Sequence, residues 1–352
     1  MIRQAFIVFV VVYTTIFLPG ADGHGAMVKP ISWFDFPSFI KLDNGSWVHD
    51  YASMKKRQQC AAGLTIPREI LCPDNNNCDG YEFPGPSCNW FTNNTSVEEP
   101  TLFDPALRTF ARVQDPKLVL LTPWRAPGAA PIASPCGVSG GNPNGCGGPK
   151  CGQKAGGYAF GIKAEETKFV HKIYTTEWKL GDVVEVAWGI LVNHGGGYSY
   201  RLCRLSEETG RKGVTEECFQ QTPLKFSGEK QWIQYGDNET ARLEIPAVRT
   251  DNGTVPVGSQ WTKNPIPACV GQFGGLLDPH QCTQGTQFPQ PGPGLCGFGI
   301  NILGTMKRFP FYIVDKVVIP EHLEPGDYVL SFRWDTEQGF QVWNTCSNIR
   351  LH

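Results

Sequence analysis

The alternation of apolar and polar positions predicts β-strands through the second half of the chain. Several segments alternate with a period of two or carry runs of β-branched and aromatic residues, and turns rich in Gly, Pro and Asp separate them. The predicted strands lie at 168–176, 182–192, 198–205, 231–235, 241–246, 311–319 and 328–334. Helical periodicity is sparse. Short strands at this spacing favour an all-β fold, an antiparallel β-sandwich, over a doubly wound sheet.

Two long stretches, 50–160 and 249–310, show little periodicity and are rich in Gly, Pro and Cys. Loops of this length are functional or are held by crosslinks. Ten of the thirteen cysteines lie in these stretches: Cys60, Cys72, Cys78, Cys88, Cys136, Cys146, Cys151, Cys269, Cys282 and Cys296. We therefore expect long loops stapled by disulfides. The odd count leaves one cysteine unpaired or in an intermolecular bridge, and the connectivity stays open.

The first 23 residues have the pattern of a secretory signal peptide. Arg3 carries a positive charge, an uncharged apolar run covers 5–18, and small residues occupy 21 and 23. The run is shorter than the roughly 20 residues that a membrane span needs, so an uncleaved anchor is the weaker alternative. We expect a secreted, extracellular protein whose mature chain, 24–352, forms one domain. Five sequons are possible glycan acceptors: Asn44, Asn93, Asn94, Asn238 and Asn252.

The charge pattern limits the class of partner. The formal net charge is −2, and no basic block or acidic tail occurs along the chain. Nucleic acid and anionic membrane surfaces are therefore not expected as partners. A nearly neutral surface suits an uncharged polymer such as a polysaccharide, and we expect a monomer.

His24 would be the first residue of the mature chain. An N-terminal histidine offers its α-amine and a ring nitrogen to one metal, a chelate that an internal histidine cannot form. Coordination by nitrogen alone suits Cu(II). A second imidazole would complete the site, and His194 is the preferred candidate because it follows the apolar strand at 182–192 and precedes three glycines. That position predicts a ligand on a rigid scaffold that is open to solvent.

Seven short motifs follow one another along the chain: His24-Gly25, the AGGYAFGI segment at 155–162, Asn193-His194, Leu202-Cys203, Cys218-Phe219, Pro223-Leu224 and the VWNTCSNI segment at 342–349. Together they resemble the motifs of lytic polysaccharide monooxygenases of the auxiliary activity family 15 type, which carry a chitin-binding type-4-like domain. The resemblance covers about 24–34, 150–225 and 325–352.

The resemblance implies an immunoglobulin-like or fibronectin III-like sandwich with one copper ion per chain, held by His24 and His194, and no other cofactor. It implies oxidative cleavage of a polymeric or insoluble carbohydrate, chitin or cellulose, with an external electron donor and dioxygen or hydrogen peroxide. Trp343 stands at the axial position, where the family has Tyr or Phe, and Phe340 is the alternative. Gln341 matches a side chain that contacts a copper-bound oxygen, with Glu337 as a second candidate. Val192 replaces a common Ala.

Aromatic rings near the two histidines are candidates for stacking on sugar faces: Trp33, Phe36 and Tyr198, with Phe34 and Tyr200 beside them. Tyr198 and Tyr200 point to the same side of one strand, so part of this set is expected to pack inward.

Three other motifs are not expected to carry chemistry. The G-x-S-x-G match at 137–141 and the G-x-G-x-x-G match at 292–297 both lack the flanking strand and helix that these motifs require. Zinc sites built on Cys72 and Cys78, or on Cys146 and Cys151, are less favoured than disulfides in an exported chain.

Two alternatives to the copper enzyme stay open. One is a non-catalytic polysaccharide-binding module, which does not need His24 at the terminus. The other is a copper-binding protein that keeps both histidines without oxygenase activity, a reading that Trp343 favours.

Overall fold

The computed structural model describes residues 24–33, 39–41, 47–49, 59–60, 64–65, 91–99, 120–139, 163–166, 175–235, 239–240, 242–266, 311–337 and 339–352. The strands in these ranges are β1 (His24–Lys29), β2 (Phe39–Lys41), β3 (Trp47–His49), β4 (Gln59–Cys60), β5 (Leu64–Thr65), β6 (Phe91–Asn94), β7 (Val138–Ser139), β8 (Thr175–Trp178), β9 (Val183–Val192), β10 (Gly197–Arg204), β11 (Lys225–Phe226), β12 (Lys230–Tyr235), β13 (Arg242–Pro246), β14 (Arg249–Thr250), β15 (Trp261–Lys263), β16 (Phe311–Val318), β17 (Gly326–Asp335) and β18 (Gln341–Leu351). Helix α1 covers Glu216–Gln221, and short 3-10 turns lie at Pro123–Arg125, Ala164–Glu166 and Arg211–Gly213.

Two sheets form the body of the described structure. The first has the strand order β1-β9-β16-β12-β13, with β11 on β16, and all of its pairs are antiparallel. The second has the order β14-β15-β10-β17-β18-β6-β7, and β8 joins β18 in parallel. The predicted all-β, antiparallel sandwich is therefore confirmed, with β8 as a parallel addition.

The predicted strands from residue 182 onward are confirmed, with ends within about two residues of the prediction. The strand predicted at 168–176 overlaps β8 at its last two positions, and 167–174 lie outside the described residues. The stretches at 50–160 and 249–310 were expected to be loop, but β6 and β7 lie in the first, β14 and β15 lie in the second, and all four add to the second sheet. Strands of two to four residues are too short to show a period, which is why the pattern missed them.

The core lies between the inner faces of the two sheets. Alternate residues of β10 and β17 face inward, among them Tyr198, Tyr200, Phe332 and Trp334, and all four are fully buried. Trp188 of β9 meets them from the first sheet. Aromatic side chains thus fill the centre of the sandwich, and several of them extend towards one end, where β1 and β18 meet.

The outer face of the second sheet is also covered. Arg333 points outward from β17, and its guanidinium donates to Asp335 at 2.7 Å, to Glu216 of α1 at 2.9 Å and to the carbonyl of Ala130 at 3.0 Å. Arg201 of β10 also pairs with Glu216. These hydrogen bonds and ion pairs hold the 120–139 segment and α1 against the outer face of the second sheet.

Two disulfides reinforce this cover and confirm that loops are stapled. Cys136 in the 120–139 segment is bonded to Cys346 of β18, and Cys203 of β10 is bonded to Cys218 of α1. The second bridge closes a loop of 15 residues, which stabilises a fold by about 3 kcal/mol in the chain-entropy account. Within the described ranges, no helix is long and apolar enough to cross a membrane.

The sequons differ in exposure. Asn93 is 2% exposed, and its carboxamide donates to Asn344 and to the carbonyl of Ser134 while accepting from backbone amides. A glycan cannot be attached to this side chain in the folded protein, so the expectation of an exposed acceptor at Asn93 is corrected. Asn252 lies exposed in the turn after β14. Asn44 and Asn238 lie outside the described residues.

Candidate metal centre

The register of β1 on β9 places the backbone of His24 beside the strand end that leads to His194. His24 pairs with Val192, and a bulge follows before Gly25 pairs with Ile190. His194 comes two residues after Val192 in the loop that joins β9 to β10. The two histidines therefore belong to adjacent chain segments at one end of the first sheet.

Glycines shape the loop that carries His194. Gly195 and Gly196 have φ values of +59° and +78°, which L side chains rarely adopt. A Cβ on Gly196 would lie 2.0 Å from the carbonyl oxygen of Asp335, and a Cβ on Gly197 would lie 2.1 Å from the indole of Trp124. Larger residues could not fit here, so the loop is drawn tightly against the end of β17.

Two asparagines hold the same loop. The carboxamide oxygen of Asn193 accepts hydrogen bonds from the amide of Gly195 at 2.9 Å and from the Asn264 side chain at 2.9 Å. The amide of Asn264 in turn donates to the carbonyl of Gly196 at 2.8 Å. These bonds fix the backbone on both sides of His194, which is the rigidity that a metal ligand needs.

His194 is fully buried, with 0% of its surface exposed. Its carbonyl accepts a hydrogen bond from the amide of Glu337 at 3.1 Å. The sequence predicted a histidine open to solvent, and this prediction is wrong. The glycines around His194 act as points of close packing and not as a flexible turn.

Trp334 joins the two histidine segments. Its indole N–H donates to the carbonyl of Gly195 at 2.7 Å. Its ring also faces Gly25, where an added Cβ would lie 2.7 Å from Cζ3. The residue after His24 must therefore be glycine for β1 to pack here. Sequence reasoning missed this role, because a tryptophan in a predicted strand is ordinarily assigned to the core.

Gln341 and Trp343 lie on the same side of β18, at the same end of the sandwich. The indole N–H of Trp343 donates to Oε1 of Gln341 at 3.0 Å, which fixes the orientation of the carboxamide. The Trp343 ring is fully buried, and its centroid lies 6.5 Å from that of Trp334. The two predicted residues are thus coupled to each other and, through Trp334, to the histidine segments.

Glu337 and Phe340 occupy the turn between β17 and β18. Glu337 is 4% exposed. The neighbouring Lys263 is also buried, which lowers its pKa, and the negative charge of Glu337 partly offsets this effect. Phe340 is half-buried, and its carbonyl accepts from the amide of Thr95 at 2.9 Å. This turn lies next to the His194 loop through the bond between Glu337 and His194.

The candidate rings for sugar binding lie elsewhere. Trp33 is 1% exposed, donates to Asn348 near the other end of β18 and packs under the guanidinium of Arg211. Tyr198 is fully buried between the sheets. Both are core residues, and this placement corrects the expectation of exposed rings at these two positions. Phe36 lies outside the described residues.

Among the side chains that the structure describes, no cluster of three or more His, Cys, Asp or Glu residues could hold a metal ion. The predicted site needs no such cluster, because it uses two histidines and one terminal amine. The donor set fits copper on its chemistry, since all of its ligands are nitrogens. It also fits on its placement, since the β1–β9 register brings the backbone of His24 beside the loop that carries His194.

Comparison with known proteins gives weak similarity only. No protein-family model matches the chain, and no characterised protein matches its sequence. It is similar to a family AA15 lytic polysaccharide monooxygenase from Thermobia domestica in the Cu(I) state, with a TM-score of 0.29 and 11% identity over 53% of this chain and 67% of that one. It is also similar to a chitin binding domain from Burkholderia pseudomallei, with a TM-score of 0.34 and 11% sequence identity over 94% of this chain and 100% of that one. An AA10 lytic polysaccharide monooxygenase from Streptomyces lividans has a TM-score of 0.25 and 9% sequence identity, over 58% of this chain and 70% of that one. Similarity of this degree establishes neither a family nor an activity for this chain.

Proposed function

We propose that the protein is exported, that its mature chain begins at His24, and that His24 and His194 bind one copper ion for the oxidative cleavage of a polysaccharide. The observation that carries the proposal is the pairing of His24 with Val192, two residues before His194. A chain that begins at His24 has its α-amine at this strand end. With an unperturbed pKa of about 7.7–8.0, the amine can lose its proton to a metal near neutral pH.

Bound copper would supply the one-electron redox chemistry for removing hydrogen from a glycosidic C–H bond, with a reductant and dioxygen or hydrogen peroxide as co-reactants. The residues of this chain position and insulate that chemistry. Trp334 holds the two histidine segments together through Gly25 and Gly195. Trp343 has no phenolic oxygen to offer and keeps Gln341 in a fixed orientation. Chitin and cellulose are the substrates to screen first.

The first test is an electron paramagnetic resonance spectrum of the protein with a native His24 start and one equivalent of Cu(II). The matched control is the same chain with one extra alanine before His24. We expect an axial signal with nitrogen couplings in the first sample and its loss or change in the control. The proposal fails if neither sample binds copper tightly or if the two spectra are the same.

The second test is reductant-dependent release of oxidised oligosaccharides from chitin and cellulose, followed by mass spectrometry, with His194→Ala as the inactive control. Products from the wild type alone support the enzyme. Binding to the polymer without a copper signal would instead support a non-catalytic polysaccharide-binding module.

Two observations favour the copper-binding protein as the second candidate. His194 is fully buried, and position 343 holds a tryptophan, which has no phenolic oxygen to offer a metal. A buried metal ion cannot contact a solid polysaccharide, so a buried site is better suited to storing or transferring copper than to cleaving such a substrate. This candidate predicts the nitrogen-coupled spectrum together with the absence of chain scission on any polysaccharide tested.

A further inference from the structure

A buried polar cluster that the proposed function does not use lies between the two sheets. Asp315 comes from β16 of the first sheet, and Tyr198 and Tyr200 come from β10 of the second. These three side chains are fully buried. Arg249 comes from β14, at the edge of the second sheet, and its side chain is 9% exposed. A carboxylate and a guanidinium are therefore enclosed in a core that is otherwise mostly aromatic and aliphatic.

Part of this cluster is bonded directly. The hydroxyl of Tyr198 donates to Oδ2 of Asp315 at 2.5 Å. The two terminal nitrogens of Arg249 donate to the hydroxyl of Thr262 at 2.9 Å and to the carbonyl of Lys230 at 3.1 Å. These bonds engage one carboxylate oxygen and both Nη atoms of the guanidinium.

Three atoms of the cluster are not accounted for by these bonds. Oδ1 of Asp315, the hydroxyl of Tyr200 and Nε of Arg249 are buried and have no hydrogen-bond partner among the residues that the structure describes. Nη2 of Arg249 lies 3.7 Å from Oδ1 of Asp315, which is within ion-pair range but too long for a hydrogen bond. Buried polar groups are nearly always hydrogen-bonded, because burial without a partner costs the full desolvation of the group. The three atoms therefore indicate a bound molecule.

The three groups lie around the ring of Phe226. The guanidinium carbon of Arg249 is 4.3 Å from the centroid of this ring, and the ring centroids of Tyr200 and Phe226 are 6.0 Å apart. Burial raises the pKa of Tyr200, and the charge of Asp315 raises it further, as expected for a carboxylate near this hydroxyl. One small molecule between the sheets is thus within reach of all three groups.

The chemistry of the three atoms identifies the class of molecule. A carboxylate and a guanidinium offset each other's charge, so the site favours a neutral molecule over an ion. Burial raises the pKa of Asp315 to about 6, so at neutral pH its carboxylate only accepts hydrogen bonds. Nε–H of Arg249 only donates, and the hydroxyl of Tyr200 can do either. A water molecule satisfies all three atoms, and about three hydrogen bonds is the usual number for a buried water.

We propose that Asp315, Tyr200 and Arg249 bind one water molecule between the sheets, and that this water joins β14 at the edge of the second sheet to β16 of the first. The bridge complements the direct bonds of Arg249, which reach Thr262 in the second sheet and Lys230 in the first. The water site needs neither copper nor a free terminus at His24. It therefore does not depend on the proposed function and is tested on copper-free protein.

The first experiment is a crystal structure of the wild-type protein near neutral pH, at a resolution that shows ordered water. We expect density for one water within hydrogen-bonding distance of Oδ1 of Asp315, the Tyr200 hydroxyl and Nε of Arg249. A direct hydrogen bond between Arg249 and Oδ1 with no density between them overturns the proposal. Density for an ion or a larger molecule overturns the assignment to water.

The second experiment is a double-mutant cycle on the unfolding equilibrium constant, with Tyr200→Phe and Arg249→Met. The Tyr200 hydroxyl and the guanidinium share no direct bond, so their effects should couple only through the bound water. We expect the rise in the double variant to be at least about twofold smaller than the product of the two single effects. Tyr328→Phe replaces Tyr200→Phe in the control cycle, because Tyr328 is also buried but its hydroxyl donates to the carbonyl of Glu324.

The cycle contradicts the proposal if the two effects multiply within about twofold, or if the control cycle deviates to the same degree. Hydrogen exchange then tests the link between the strands. The amide of Lys263 donates to the carbonyl of Val248 beside β14 at 2.8 Å, and its exchange should be severalfold faster in Tyr200→Phe than in Tyr328→Phe. Equal rates in the two variants refute the role of the water in holding β14. Near-ultraviolet circular dichroism checks that each variant is folded.

Discussion

Replacing Trp334 with phenylalanine tests whether one indole holds the candidate metal centre together. The change removes the indole N–H that donates to the carbonyl of Gly195 at 2.7 Å and leaves a smaller ring to pack on Gly25. The segments that carry His24 and His194 then lose their common contact. We expect the fold to survive and the metal site to loosen.

The size of the effect follows from the contacts. Losing the hydrogen bond costs about 1 kcal/mol, at the low end for a buried carbonyl, because Asn264 still donates to the same oxygen at 3.4 Å. The smaller ring leaves a partial cavity worth about 1–2 kcal/mol. The free energy of unfolding should thus fall by ~2–3 kcal/mol. Copper affinity should fall about 10–100-fold, as it does when groups that orient metal ligands are removed.

The assay pairs chemical denaturation with a chelator-competition measurement of Cu(II) affinity on chains that begin at His24. Trp261→Phe is the control, because Trp261 is equally buried and its indole donates to Ser259, in a cluster with Trp124 outside the main core. It should lose comparable stability and keep its copper affinity. Equal losses of affinity in both variants would refute a specific role for Trp334.

Three further predictions concern pH and processing. Burial raises the pKa of Asp315 from 3.8 to about 6 in the folded protein, so the folded state binds a proton more tightly than the unfolded chain. The free energy of unfolding should therefore fall as the pH rises from 3.8 to 6, by up to about 3 kcal/mol, and Asp315→Asn should remove this pH dependence from the denaturation curves. Glu185 has the opposite effect, because hydrogen bonds from Arg242 lower its pKa to about 2. Glu185→Gln should lower the free energy of unfolding by roughly 1 kcal/mol at neutral pH, and the variant should lose less stability than the wild type between pH 4.5 and 2. In a secreting eukaryotic host, Asn252→Gln should remove a glycan from the intact mass, whereas Asn93→Gln should leave the mass of attached glycan unchanged and lower the melting temperature.

The sequence predicted the fold well where strands are long. Segments such as 183–192 alternate or carry β-branched runs over many residues, so their boundaries followed from the pattern alone. β14 and β15 have two and three residues and no readable period. Their place in the second sheet depends on hydrogen bonds to distant strands, which a local pattern does not contain.

The sequence suggested two ligands for the candidate site, which remain predictions, but not the residues that support them. His24 followed from the signal-peptide pattern, and His194 followed from a strand end beside glycines. Trp334 could not be found in the same way, because its partner Gly195 lies 139 residues away and the contact exists only after the sheets pack. Aromatic residues close to the histidines in sequence, such as Trp33 and Tyr198, were misplaced because nearness along the chain does not determine exposure.

The contacts that hold β1 in place do not involve a free terminus at His24, so the site can fold before any cleavage at that position. β1 is paired along β9, and Lys29 at its far end donates to Glu185 at 3.0 Å, so its position does not depend on a free terminus at His24. Cleavage before His24 would then change one nitrogen only, from an amide that holds its proton tightly to an amine that a metal can deprotonate near neutral pH. In the proposed function the uncleaved chain should therefore fold as the mature chain does and lack the copper chelate. Control over the metal would lie in the chemistry of a single peptide bond and not in a rearrangement of the sandwich.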